Sequence, residues 1–171
     1  MTERLRKLVR DIPDFPSPGI LFRDVTPLLR DPEALRESIR LMADGVSAFR
    51  PDVVLGIESR GFLFGVPVAD RLGVGFVPAR KPGKLPWRVH QQAYGLEYGA
   101  DILELHVDAV GPGDRVVIVD DVLATGGTAR AACSLVEMSG ATVAGVVVLV
   151  ELVGLEGRST IRADVVSVLT Y

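Results

Sequence analysis

Apolar positions along the chain change period from segment to segment, and each period predicts an element. In residues 2–10, Leu5, Leu8 and Val9 fall at helical spacing, and Pro13, Pro16 and Pro18 bar its continuation, so a short amphipathic helix is expected to lead into an irregular loop. Asp31-Pro32 supplies an N-cap acceptor with proline in the first turn, and Leu35, Ile39 and Met42 trace the buried face of a helix expected to reach about Phe49. Strands are then expected at 53–57, 75–79, 102–107, 116–120, 143–151 and 165–169, with helices at 62–72 and 128–139. The runs Val53-Val54-Leu55, Val116-Val117-Ile118-Val119 and Val146-Val147-Val148-Leu149-Val150 are apolar at every position, as strands buried on both faces must be. The fold class is therefore α/β, a central, mainly parallel sheet flanked by helices. Residues 80–101 break the pattern with Pro82, Gly83, Pro86, Gly95, Gly99 and many polar groups; so long a stretch inside a compact domain is expected to be a functional flap.

Composition narrows the picture. The 171 residues are 48% hydrophobic, enough for one substantial core, so residues 1–171 are expected to form a single domain. A net charge of −3 lacks the basic excess of a nucleic-acid binder, and no nucleic-acid partner is expected. The first ten residues mix charges with isolated Leu and Val, unlike a signal peptide or an anchor, and the apolar run 143–150 is far shorter than the roughly 20 residues of a membrane span. No membrane association and a cytoplasmic location are expected, in keeping with the single Cys133.

The strongest chemical signal is Val116-Val117-Ile118-Val119-Asp120-Asp121-Val122-Leu123-Ala124-Thr125-Gly126-Gly127-Thr128, a buried strand passing through a tight turn into a helix. Ligands of open α/β sheets bind beyond the carboxyl ends of the strands. Gly126 and Gly127 let backbone approach a ligand, and the hydroxyls of Thr125 and Thr128 stand beside the free N–H groups of a helix start, where the dipole favours phosphate. The Lys of a Walker A loop is missing, and the glycines do not follow G-x-G-x-x-G. Asp120 and Asp121 would repel a bare polyphosphate but suit a sugar diol or metal-bound water, so the expected ligand is a phosphorylated sugar. The plainer reading, in which these residues only shape a turn, carries less weight.

This segment resembles the phosphoribosyl pyrophosphate motif of the type I phosphoribosyltransferases, and its Leu-Ala-Thr-Gly-Gly-Thr ending resembles the adenine-specific branch. Four other stretches are similar to that branch: the segment from Phe15 to Asp24, Glu58-Ser59-Arg60-Gly61-Phe62-Leu63-Phe64-Gly65, Arg80-Lys81-Pro82-Gly83-Lys84-Leu85-Pro86 and Leu96-Glu97-Tyr98-Gly99. The resemblance implies transfer of phosphoribose from phosphoribosyl pyrophosphate to adenine, giving AMP and pyrophosphate in purine salvage. It implies that Ala124, Thr125, Gly126, Gly127 and Thr128 hold the 5′-phosphate and Asp120 and Asp121 the ribose hydroxyls. Ser59, Arg60, Arg80 and Lys84 would meet pyrophosphate, with a cis peptide expected at Glu58-Ser59. Phe22, the Arg23 backbone and Leu152 would enclose adenine, the N-terminal segment of about residues 1–30 serving base recognition. Glu97 is the acid/base candidate, and Glu97, Lys84 and Arg60 are the expected catalytic residues. Mg²⁺ is expected as the cofactor, carried by the substrate near Asp120 and Asp121 without dedicated protein ligands, and a homodimer is expected.

Each assignment has a plainer rival. By composition alone Phe22 and Leu152 are core residues, Arg80, Lys81, Lys84 and Arg88 form a solvated charged loop, and Glu97 is a surface carboxylate. Cys133 reads as a small buried thiol, and His106 lacks a second ligand at metal-binding spacing. Trp87-Arg88-Val89-His90 and Ala93 depart from the family's flap. Two other functions compete: transfer to hypoxanthine or xanthine, against which the Phe22-Arg23 and 96–99 segments argue, and a nucleic-acid-binding sensor of phosphoribosyl pyrophosphate, against which the negative charge argues.

Overall fold

The computed structural model describes residues 2–15, 18–96 and 99–171. Helix α1 (Thr2–Lys7) leads into the antiparallel pair β1 (Arg10–Pro13) and β2 (Leu21–Asp24), followed by α2 (Thr26–Arg30) and α3 (Pro32–Ser47). A first βαβ unit comprises β3 (Val53–Ile57), α4 (Arg60–Leu72) and β4 (Gly75–Ala79). An antiparallel hairpin of β5 (Val89–Leu96) and β6 (Gly99–His106) separates it from a second unit, β7 (Arg115–Leu123), α5 (Gly127–Met138) and β8 (Thr142–Glu151). Two 3₁₀ turns, Val153–Leu155 and Gly157–Thr160, precede β9 (Val165–Thr170).

The main sheet is parallel throughout, in the order β4-β3-β7-β8-β9. From the adjacent strands β3 and β7 the chain departs in opposite directions, to β4 on one side and β8 on the other, so a crevice opens beyond their carboxyl ends. Period-two alternation divides the core: Leu55, Ile57, Val116, Ile118, Val146 and Val148 pack with α5 and the β5–β6 hairpin, whereas Val54, Val117, Val119, Val147 and Leu149 pack with α3 and α4. Asp31 caps α3 as its sequence demands, accepting from the Glu33 and Ala34 amides at 3.0 and 2.9 Å.

Three expectations need correction. The stretch after α1 is a hairpin, because its cross-strand partners are opposite charges: Arg10 faces Asp24 and Asp11 faces Arg23, both joined by ion pairs. Apolar periodicity carries no trace of such a pairing. The polar Val89–Leu96 segment of the expected flap is likewise a strand, tied to β6 by backbone hydrogen bonds. Finally, β7 keeps its ladder with β8 through Leu123, so Asp120 and Asp121 lie on the strand and the turn begins after them.

Candidate active site

The loop from β7 to α5 is shaped by backbone. Gly126 has φ of +84°, and a Cβ there would lie 2.3 Å from Thr160 Oγ1 and 2.6 Å from the Gly157 carbonyl oxygen, so only glycine fits. No side chain caps α5, which leaves its first N–H groups available to an anion. The Gly157–Thr160 turn backs the loop so closely that a Cβ on Gly157 would meet the Ala124 carbonyl oxygen at 2.1 Å. Arg158 fixes that turn, its Nε 2.9 Å and its Nη2 2.5 Å from the two oxygens of buried Glu151. This bidentate pair, aided by Ser167, holds the Glu151 carboxyl below the usual carboxylate range.

Asp120 and Asp121 stand where β7 passes the start of α4. Asp120 Oδ1 accepts from the Asp121 amide at 2.9 Å, and Arg60 Nε lies 2.7 Å from Asp121 Oδ2, out of line for a hydrogen bond. Asp121 Oδ2 is thus a buried carboxylate oxygen with a neighbouring charge and no hydrogen-bond donor. Desolvation, with the Asp121 charge beside it, raises the Asp120 carboxyl well above its ordinary value; desolvation also raises Asp121, with Arg60 opposing. The pair therefore resists carrying two full negative charges. Gly61 makes the approach possible: a Cβ there would sit 2.7 Å from the Val119 carbonyl oxygen and 3.0 Å from Asp120 Oδ1.

Beyond β3 the Glu58-Ser59 peptide is cis, as the resemblance implied, and Ser59 starts α4 without a side-chain capping bond. Glu58 gathers the flap cations. Arg80 Nε lies 3.2 Å from Glu58 Oε2, the Lys81 amide donates to the same oxygen at 2.9 Å, and Lys84 Nζ pairs with Oε1. Burial alone would raise the Glu58 carboxyl, but Lys84, the Lys81 amide and Arg80 outweigh it and bring it down to about 2. Lys81 Nζ pairs with Asp101 and lies 3.1 Å from Tyr94 Oη. Arg80, Lys81 and Lys84 are thus individually paired, which the solvated-loop reading does not provide for. The hairpin also lies over the phosphate loop, since a Cβ on Gly127 would come 3.2 Å from the Gly95 carbonyl oxygen and 3.5 Å from Tyr94 Cδ2. Glu97 lies outside the described residues.

Of the expected base-binding residues, Phe22 is half-buried, with the Arg60 guanidinium 5.0 Å from its ring centre and Phe15 edge-on at 5.2 Å. Arg23 pairs with Asp11 and stacks on Tyr171 at 4.2 Å. Leu152 is half-buried, and its amide donates to the Leu123 carbonyl at 2.9 Å, which sets it beside the end of the cradle strand. Arg60 is the hub, touching Asp121 on one side and Phe22 on the other.

Sequence reasoning gave no part to Glu58, although it lay inside a quoted motif, because a carboxylate among expected anion-binding groups has no obvious use. It also missed Glu151–Arg158, whose partners are seven residues apart across a 3₁₀ turn and carry no periodic signal. Cys133 is half-buried, and burial together with Glu137 pushes its thiol up to about 11, consistent with an unreactive group. Among the described residues no group of three or more His, Cys, Asp or Glu side chains could hold a metal ion, and no helix is long and apolar enough to cross a membrane.

Comparison with known proteins identifies this arrangement. Residues 24–171 match the family model described as the phosphoribosyl transferase domain. The adenine phosphoribosyltransferase of Carboxydothermus hydrogenoformans is 55% identical over 168 residues, which cover 98% of this chain and 99% of that one. The crystal structure of adenine phosphoribosyltransferase from Thermoanaerobacter pseudethanolicus is 49% identical and superposes with a TM-score of 0.97, with full coverage of both chains. The enzyme from Saccharomyces cerevisiae, complexed with an imino-altritol bisphosphate and adenine, is 42% identical with a TM-score of 0.94, with 98% of each chain covered. With a parallel sheet, a switch-point crevice and relatives of this identity and coverage, the chain belongs to the phosphoribosyltransferase family, in its adenine phosphoribosyltransferase branch.

Proposed function

We propose that this site transfers the phosphoribosyl group of phosphoribosyl pyrophosphate to adenine, releasing pyrophosphate and forming AMP for purine salvage. The observation that carries the reading is the position of Arg60, whose guanidinium touches both Asp121 of the sugar site and the Phe22 ring of the base site. A substrate spanning cradle, diol site and base site would pass through that point. Ala124, Thr125, Gly126, Gly127 and Thr128 take the 5′-phosphate on the uncapped start of α5. Asp120 and Asp121 accept from the ribose hydroxyls; Asp121 Oδ2, beside the Arg60 guanidinium, receives no hydrogen bond from the protein. Arg60, Arg80 and Lys84 neutralise the departing pyrophosphate, and Ser59 donates a hydrogen bond to it.

Adenine lies against Phe22, with Leu152 on its other face and the Arg23 backbone along its polar edge. A backbone carbonyl accepting from the 6-amino group would face another acceptor in hypoxanthine, leaving two lone pairs opposed, and specificity follows from that penalty. Displacement at the anomeric carbon through an oxocarbenium-like state needs no protein nucleophile. Glu97 manages the proton leaving the incoming ring nitrogen or steadies the cationic sugar.

The donor set suits Mg²⁺ that arrives on the substrate: two adjacent carboxylates, and no third ligand among the described residues. When bound, the ion supplies charge neutralisation for the two phosphate groups, with Asp120 and Asp121 as its nearest carboxylates. The enzyme works as a cytoplasmic homodimer in this reading. Purified protein assayed with adenine, hypoxanthine and guanine tests the assignment: AMP formation from adenine alone, abolished by excess chelator, is expected. Equal rates for adenine and hypoxanthine would overturn the base assignment.

A further inference from the structure

A negative charge among groups expected to bind pyrophosphate calls for an explanation. Glu58 immediately precedes Ser59 and Arg60, its side chain is 8% exposed, and both of its oxygens are occupied by flap groups. Lys84 and Arg80 come from residues 80–84, at the base of the flap, and are themselves about half and one-third exposed. The same short segment is held from the other side. The Arg80 and Glu104 backbones exchange hydrogen bonds of 2.9 and 2.7 Å, and the buried Glu104 carboxylate accepts from the Gly83 amide at 3.1 Å and from Gln91 Nε2 at 2.7 Å. The cations are therefore stationed beside the pyrophosphate turn, and their counter-ion is a protein carboxylate.

We infer that Glu58 is an exchange partner for pyrophosphate, a carboxylate that receives Lys84 and Arg80 when pyrophosphate leaves and must surrender them when it binds. The inference rests on the proposed role of Arg80 and Lys84 as pyrophosphate ligands. Each cation makes charge-assisted hydrogen bonds to whichever anion it faces, so pyrophosphate gains only the difference between its own contacts and those given up to Glu58. Net affinity for the product is lowered, and its release is eased, while the cations stay placed near the reaction. Phosphoribosyl pyrophosphate feels the same competition but keeps independent anchors at the 5′-phosphate loop and the ribose carboxylates.

The sign of the consequence is unusual: removing a half-buried carboxylate with both oxygens occupied should tighten ligand binding. Glu58→Gln keeps the shape and an acceptor for the Lys81 amide while deleting the charge. A single charge-assisted contact is worth about 10- to 150-fold, and the exposure of Lys84 discounts this, so pyrophosphate should bind roughly 5- to 20-fold more tightly to Glu58→Gln. Titration calorimetry of Mg²⁺-pyrophosphate against the wild type, Glu58→Gln, Lys84→Ala and the double variant measures it. Lys84→Ala should weaken binding, and the gain from Glu58→Gln should shrink in the Lys84→Ala background. Product inhibition by pyrophosphate in Glu58→Ala gives a second route to the same sign should Glu58→Gln fold poorly. A merely structural role for Glu58 would weaken binding in these variants, and unchanged or weaker binding in both overturns the inference. If instead Lys84→Ala and Arg80→Ala both leave pyrophosphate affinity untouched, it is their proposed role as ligands that falls.

Discussion

Replacing Gly61 with alanine adds one methyl group where the start of α4 meets the end of β7. That methyl would stand 2.7 Å from the Val119 carbonyl oxygen, 3.0 Å from Asp120 Oδ1 and 3.2 Å from Asp120 Cα. Two of these atoms are backbone in a central strand paired with β3 as far as Val119 and with β8 as far as Leu123, so no side-chain rotation relieves the contact. Relief requires the helix start and the strand end to part by about half an ångström, and overpacking of this kind costs about 1–3 kcal/mol. For a chain of this length that corresponds to a melting point lower by roughly 2–12 °C. The functional loss should exceed the stability loss, because the two parted segments carry Arg60 and Asp120-Asp121; a misplacement near 1 Å can cost about 100-fold, so kcat/KM is expected to fall roughly 10- to 100-fold. Gly75→Ala is the control: no atom lies within 4 Å of its added methyl, and its φ is not in the left-handed region. Thermal unfolding of both variants, with steady-state kinetics in both substrates, decides. A Gly61→Ala protein melting within about 1 °C of wild type, with kcat/KM unchanged, would refute the close-approach reasoning.

Asp121→Asn and Gly127→Val should fail differently. The first removes charge at the sugar with little change of shape and should lower kcat with the fold intact, whereas the second drives a branched side chain towards the Gly95 carbonyl and the phosphate position and should abolish binding of phosphoribosyl pyrophosphate; calorimetry and kinetics separate them. Arg158→Met leaves the buried Glu151 carboxylate without its bidentate partner; discounting for the half-exposed guanidinium, a loss of about 2 kcal/mol is expected in denaturant unfolding, partly restored by Glu151→Gln in the same chain. Stability should also depend on pH through Glu58 and Glu151, whose folded values are depressed: their contribution is fully present above about pH 4.5 and is lost as pH falls towards the folded values, about 2 for Glu58. Through these two groups melting points should rise from pH 3 to about 4.5, with a shallower acid limb in Glu58→Gln. Asp120, raised by burial and by Asp121, acts oppositely, favouring the folded state at low pH and losing that contribution as pH rises, so Asp120→Asn should steepen the acid limb.

The sequence by itself determined the frame. Strands apolar at every position can only be central, and the 3.6-residue stripe of α3 with the Asp31 cap admits one reading, because burial and capping are local demands that each residue reports directly. The turn from β7 to α5 was legible for the same reason: paired glycines between a buried strand and a helix state their local geometry in a dozen residues. What only the tertiary structure decided was everything that depends on a partner distant in sequence. The β1–β2 hairpin is written in charges, Arg10 with Asp24 and Asp11 with Arg23, that no period describes. Lys84 and Arg80 were expected to face pyrophosphate, and only the fold set Glu58, more than twenty residues earlier, against them. Arg60 was expected to meet pyrophosphate, but only the fold set Asp121 from β7 and Phe22 from the β1–β2 hairpin on its two sides. Hydrophobic periodicity encodes which face of an element is dry; it does not encode which charge another element will bring to the wet one, and at this site those meetings carry the chemistry.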